Sequence, residues 1–122
     1  MTPEQKAAVF LEGQTHMIVA VTCDDGRPWA VPVVIQQRDG KVFEWDSRLD
    51  AVHSLAIARD PRVAICLYRA SSDEGEEIVV YGDGTAEIVE QRGEYARYRA
   101  TLQTAWMNDV DHVKRPISVS AL

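Results

Sequence analysis

The stretch VFEWDSRLDAVHSLAIARDPRVAICLY, Val42–Tyr68, decides how the chain is read. An aromatic strand pattern over Lys41 to Trp45 runs into a polar turn. A helix pattern follows, and Asp60 with Pro61 stops it before a further strand, Arg62 to Tyr68. Ser47 stands where a helix N-cap belongs, and Asp50, three residues on, completes the spacing of a capping box with Asp in the usual Glu or Gln position. On a 3.6-residue period Leu49, Val52, His53, Ala56 and Ile57 share one face, which places His53 among apolar neighbours near the first turn. A helix start offers free N–H groups and the positive end of the dipole, so Ser47 and His53 lie where an anionic group would be received. The plainer reading is an ordinary cap beside a hydrogen-bonded histidine.

Outward from that segment the chain reads as a small antiparallel β protein. Thr2, Pro3 and Gln5 form a capping-box start with Pro at the first helical position, and Gly13 ends a helix over Pro3 to Glu12 whose Val9, Phe10 and Leu11 close one end of the core. Met17 to Cys23 is rich in β-branched residues and ends at Asp24-Asp25-Gly26, a strand and tight turn. Pro28 to Gln36 is a second strand, which Pro32 confines to a sheet edge or a bulge because it has no N–H. Ser71 to Glu77 is an acidic loop and Ile78 to Glu90 a long strand, in which Gly82 and Gly84 signal a bulge or a close backbone approach. From Gly93 the stripe Tyr95, Tyr98, Leu102, Ala105 and Trp106 predicts an amphipathic helix, and Ile117 to Ser120 a last strand. The fold expected is mainly β with helices, a six-stranded antiparallel split barrel forming a single domain over residues 1–122.

Composition narrows the function classes. Of 122 residues, 46% are hydrophobic and 26% charged, which fits a globular chain and excludes disorder. The net charge of −6 argues against a nucleic-acid partner, whose affinity would rest on clustered cations. The charge is uneven: Arg48 to Arg69 holds four Arg against Asp50 and Asp60, a balance of +2, whereas Ala70 to Glu94 holds eight acids against Arg92, a balance of −7. A small anion is better received by the first segment. No apolar run reaches the roughly 18 residues that span a bilayer, so no membrane partner is expected and the protein is read as cytoplasmic. Cys23 and Cys66 lie in apolar runs and read as reduced, packed thiols. His16 and His112 give no metal-ligand spacing with His53, no nucleophile or general base stands out, and Glu76-Glu77 reads as a solvated pair.

The order of these elements resembles the pyridoxamine 5′-phosphate oxidase-like family of FMN-binding split barrels, over roughly Met17 to Val89. The motifs that carry the resemblance are GRPWAVPVVIQ, the Asp39-to-Pro61 segment, and the Gly84-x-Ala86 strand. The resemblance implies an FMN-binding oxidoreductase acting on a small-molecule substrate, a homodimer with FMN at the interface. The backbone of the second strand, Val31, Pro32 and Val33, would face the ring, Trp29 and Trp45 would border it or fill the barrel ends, and Ser47, Arg48 and His53 would meet the phosphate. The chain departs from the oxidase pattern at Val31, Gln36 and Val52, where basic residues belong, and carries an imidazole, His53, at the fourth. Gln36 in place of Lys argues against pyridoxamine phosphate as substrate. Two alternatives follow: a non-catalytic dimeric binding module that has lost flavin, and a deazaflavin-dependent reductase.

Overall fold

In the computed structural model, which describes residues 1–71 and 75–122, Thr2 and Gln5 close the predicted reciprocal cap at the head of α1 (Pro3–Glu12). The Thr2 N–H donates to Gln5 Oε1 at 2.8 Å and the Gln5 N–H to Thr2 Oγ1 at 3.1 Å. Phe10 and Leu11 are buried, but Val9 is 55% exposed and takes no part in the core. The chain continues through β1 (His16–Thr22), β2 (Pro28–Val34), β3 (Gln37–Asp39), β4 (Val42–Arg48), α2 (Val52–Arg59), β5 (Arg62–Arg69), β6 (Ile78–Arg92), β7 (Tyr95–Asn108) and β8 (Arg115–Ile117), then a 3-10 turn at Val119–Ala121. Of the acidic loop expected over Ser71–Glu77, residues 72–74 lie outside the described residues.

All pairings are antiparallel, in the order β2-β1-β5-β6-β7-β4-β3 with β8 on β7. The sheet has eight strands where six were expected, and the largest correction is β7. The predicted helix after Gly93 is this strand. In its first half Ala96, Tyr98, Ala100 and Leu102 point inward and Arg97 and Arg99 lie on the other face. Gln103 then has no partner in the register, which passes from Gly84↔Leu102 to Asp83↔Thr104. That extra residue reverses the alternation, so Ala105 and Met107 become the buried ones. Two strand patterns offset by one residue imitate a helical stripe. The expected last strand, Ile117 to Ser120, survives only as the end of β8, and the 3-10 turn takes the rest.

Gly82 and Gly84 act as the sequence predicts. A Cβ on Gly84 would stand 1.9 Å from the Thr101 carbonyl oxygen, and one on Gly82 2.7 Å from a Leu102 methyl. The strands meet here at backbone distance, with Phe43, Trp45, Tyr98 and Leu102 filling the interior beside them.

The barrel does not close along its length. Beyond β2 the Ile35 N–H donates to Thr15 O on the β1 side and the Gln36 N–H to Glu44 O of β4, at 2.8 Å each. Backbone groups alternate sides, so the even positions of β2 face β4. Two of these are Pro28 and Pro32, which have no N–H to give. The two edges join at Gln36, and α2 packs on β1, β2 and β6 beside the gap. Among the described residues no helix is long and apolar enough to cross a membrane.

Gly84→Ala forces its methyl into backbone rather than into a side chain that could turn. It is expected to cost about 3 kcal/mol or more, read from the urea midpoint, while Gly13→Ala, with open space around its Cβ, changes stability by less than about 1 kcal/mol.

Candidate functional site

The seam beside α2 gathers the residues singled out above, in an arrangement different from the expected one. β4 extends through Arg48, so Ser47 is a strand residue and not a helix cap. The N-cap position falls to Ala51, whose side chain has nothing to give, and Asp50 pairs with Arg48 instead of closing a capping box. The Ser47 side chain turns inward and meets His53 of α2, Oγ to Nε2 at 2.8 Å, both residues under one tenth exposed. Burial pushes the imidazole pKa below its ordinary value, so His53 is neutral at neutral pH. The pair is a hydrogen-bonded latch between β4 and the helix that covers the seam.

Arg48 points away from it. Its guanidinium makes two bonds to Asp50, at 2.9 and 3.2 Å, a third contact to Glu94 at 3.3 Å, and lies over the Tyr95 ring. Trp45 is fully buried, stacked on Tyr98 with centroids 5.6 Å apart, and its indole Nε1 has no partner. It fills the barrel and borders no surface. On β2, Val33 is buried, Val31 half-buried and Pro32 exposed, and Trp29 lies 41% exposed at the start of the strand. Val52, expected on the inner face of the helix, is 40% exposed, and Ser54 takes the inner place. The structure therefore joins Ser47 to His53, places Trp45 behind them, and leaves Arg48 and the β2 edge apart.

Three features at α2 carry chemistry that the sequence reading missed. The first helical hydrogen bond runs from the Leu55 N–H to Ala51 O, so the N–H groups of Val52, His53 and Ser54 have no partner within the helix. Ser54, third residue of the helix, is 2% exposed and its hydroxyl has no partner. Along the outer side of α2 a hollow of about 400 Å³ is lined by Cys23, Arg27, Val52, Leu55 and Arg59, among others. Arg59 is fixed there by donating to the carbonyls of Thr22 at 3.1 Å and Cys23 at 2.6 Å. Arg27 lies beside Asp25, N···O 3.5 Å. Serine at a third helical position was visible in the sequence, but only the true position of the helix start gives it meaning. Cys23 and Cys66 are free thiols, and among the described residues no group of His, Cys, Asp or Glu is placed to hold a metal ion.

A family model described as pyridoxamine 5′-phosphate oxidase matches residues 3–121. Among solved structures, a heme-binding protein from Mycobacterium smegmatis superposes with a TM-score of 0.84 at 17% identity, covering 99% of this chain and 60% of that one, so the chain spans less than two thirds of that protein's length. A Clostridium acetobutylicum protein related to general stress protein 26 gives 0.78 at 12% identity, covering 96% and 94% of the two chains. The heme storage protein from Vibrio cholerae gives 0.71 at 15% identity, covering 93% and 96%. At such identities the likeness is one of fold. A search of curated proteins finds no match.

Ser47→Ala strands a buried imidazole nitrogen and is expected to cost about 1–3 kcal/mol. A histidine whose folded pKa is depressed binds its proton more readily when unfolded. Its contribution is therefore complete above the unfolded value, about 6.5, and is lost as pH falls below it, at up to about 1.4 kcal/mol per pH unit. Between pH 7.5 and 5.5 the urea midpoint of the natural chain is expected to fall more than that of His53→Gln.

Proposed function

Because the chain belongs to the pyridoxamine 5′-phosphate oxidase family, we propose that it is an FMN-binding oxidoreductase acting on a small-molecule substrate, as a homodimer with the cofactor at the subunit boundary. The observation that carries this reading is the buried, unpartnered hydroxyl of Ser54 at the uncapped start of α2. A buried hydroxyl without a partner costs about 1–3 kcal/mol, and a phosphate oxygen is an acceptor that would satisfy it together with the free N–H groups of the first turn. Arg27 and Arg59 line the hollow that Val52 also borders, Arg59 from the last turn of the helix. Val31, Pro32 and Val33 form the edge along which the ring would lie. Ser47 and His53 hold the helix in place from behind and make no phosphate contact in this reading. FMN, when bound, supplies hydride or electron transfer, and the protein supplies position and electrostatics.

The latch also favours a second reading. An imidazole already satisfied by Ser47, with Val31, Gln36 and Val52 uncharged, suits a dimeric split-barrel module that no longer holds flavin. A deazaflavin, whose tail differs, is tested alongside. The names of two similar structures make heme a third ligand to test.

FMN is expected to bind at least about tenfold more tightly than riboflavin, the worth of one charge-assisted bond to the phosphate. Ser54→Ala is expected to lower FMN affinity by about tenfold, to leave riboflavin affinity unchanged, and to stabilise the ligand-free chain by about 1 kcal/mol, since it removes an unsatisfied hydroxyl. Quenching of flavin fluorescence and urea denaturation read these. Equal affinity for FMN and riboflavin, or binding of neither, transfers the assignment to the non-catalytic module.

A further inference from the structure

Leu49, Asp50 and Ala51 join the last rung of β4 to α2, and they carry an acid to the place where an anion would be received. Asp50 stands two residues before Val52, whose N–H is the first of the free ones at the helix start. An aspartate so placed ordinarily turns its carboxylate onto the N–H two residues on. Asp25, Asp60, Asp109 and Asp111 of this chain all do so, accepting from the N–H groups of Arg27 at 3.0 Å, Arg62 at 3.1 Å, Asp111 at 3.4 Å and Val113 at 2.9 Å. Asp50 does not. Both of its oxygens are taken by Arg48, Oδ1 from Nε at 2.9 Å and Oδ2 from Nη2 at 3.2 Å. The remaining nitrogen, Nη1, donates to the Glu94 carboxylate at 3.3 Å, and the guanidinium lies over the Tyr95 ring, 5.6 Å from its centroid. The Glu94 carbonyl also accepts from the Leu49 N–H at 2.8 Å. Arg48 is thus anchored on the β6–β7 hairpin and reaches across to the joint.

We propose that Arg48 is a positioning residue for the phosphate site: it holds the Asp50 carboxylate off the start of α2, so that the N–H groups of Val52, His53 and Ser54 stay open to an anion from outside. The proposal rests on the flavin reading above and on its buried, unpartnered Ser54 hydroxyl. A released Asp50 would cap the helix itself, because hydrogen bonding and the helix dipole both favour a carboxylate there. The same charge would repel an arriving phosphate. A lone exposed ion pair is too weak to prevent this. Here the planar fork of Arg48 makes two parallel bonds to the carboxylate, and Glu94 and Tyr95 fix the guanidinium, so little freedom is lost when Asp50 docks. A ligand without a phosphate gains nothing from the arrangement, which makes Arg48 a determinant of specificity for the phosphorylated flavin without touching it.

A double-mutant cycle on the full chain tests this, with FMN and riboflavin titrated by fluorescence quenching. Arg48→Ala is expected to weaken FMN binding by about fivefold or more and to leave riboflavin unchanged. Adding Asp50→Ala to Arg48→Ala is expected to return FMN to within about twofold of the natural chain. A double variant as weak as Arg48→Ala overturns the proposal, since a purely structural clamp or a direct contact from Arg48 to the phosphate would give that result. The ligand-free chain decides separately. With Asp50 released to cap α2, Asp50→Ala is expected to lower the urea midpoint more in the Arg48→Ala background than in the natural chain, whereas a plain ion pair gives the opposite order. The opposite order overturns the proposal whatever the flavins do. A natural chain that binds neither flavin removes the phosphate reading, and the order of the midpoints then decides alone whether Arg48 restrains Asp50.

Discussion

A β-strand without N–H groups on one edge cannot be zipped to a neighbour, and the architecture of this protein follows from that limit. Pro28 and Pro32 silence half of the even positions along β2, so β2 and β4 join across Gln36 and Glu44 and α2 packs beside the opening. A helix laid over an opening needs tethers to both sides. On the β2 side α2 has Arg59, bonded to the carbonyls that end β1, and on the β4 side it has the Ser47–His53 bond. The neutral imidazole is suited to this place, because a buried lysine or arginine there would need a counter-charge. Among the five residues that bury the inner side of the seam, polarity is confined to Ser47, His53 and Ser54, with Ala56 and Ile57 packing around them.

Much of this was legible in the sequence wherever a local rule decides. The α1 cap, the Gly26 and Gly40 turns, the confinement of Pro32 to an edge and the Gly84 bulge each follow from the chemistry of one or two residues. The helix start at Ala51 was not legible, because Ser47 and Asp50 also form a valid capping signal and the partner strand overrides it: β7 extends the β4 ladder to Arg48↔Tyr95. Nor was the direction of the His53 ring, which depends on where β4 lies relative to the helix. Trp45 is a related case. Packing and ring contact are both compatible with an aromatic residue at a barrel end, and only the stack on Tyr98, fifty-three positions later in the chain, separates them.

The charged outer face stands in a similar relation to the sequence. Segment counts place positive charge around the hinge and negative charge after it; outside both segments, the arginines of β7 sit across from the acids of β4 and the two largely cancel. Burial of Glu44 to 9% exposure is sustained by this, since the hydrogen bond from Arg99 holds its carboxyl below the usual carboxylate range. Arg27, beside Asp25, and Arg59, held by the Thr22 and Cys23 carbonyls, sit at the turn after β1 and the end of α2.

The unpaired Gln103 has a consequence for how this chain can vary. A single inserted residue, accepted because Gly84 lets two backbones touch, lets one uninterrupted strand serve two layers in succession: Tyr98 lies within the barrel, while Trp106, eight positions on, lies on its exterior. Deletion of Gln103 would leave Leu102 opposite Gly84 and Thr104 opposite Asp83 in regular alternation with Trp106 and Met107 on their present sides, whereas a slip that put Gln103 opposite Asp83 would exchange them. The placement of every side chain downstream of Leu102 therefore depends on the bulge staying at this one step of the ladder.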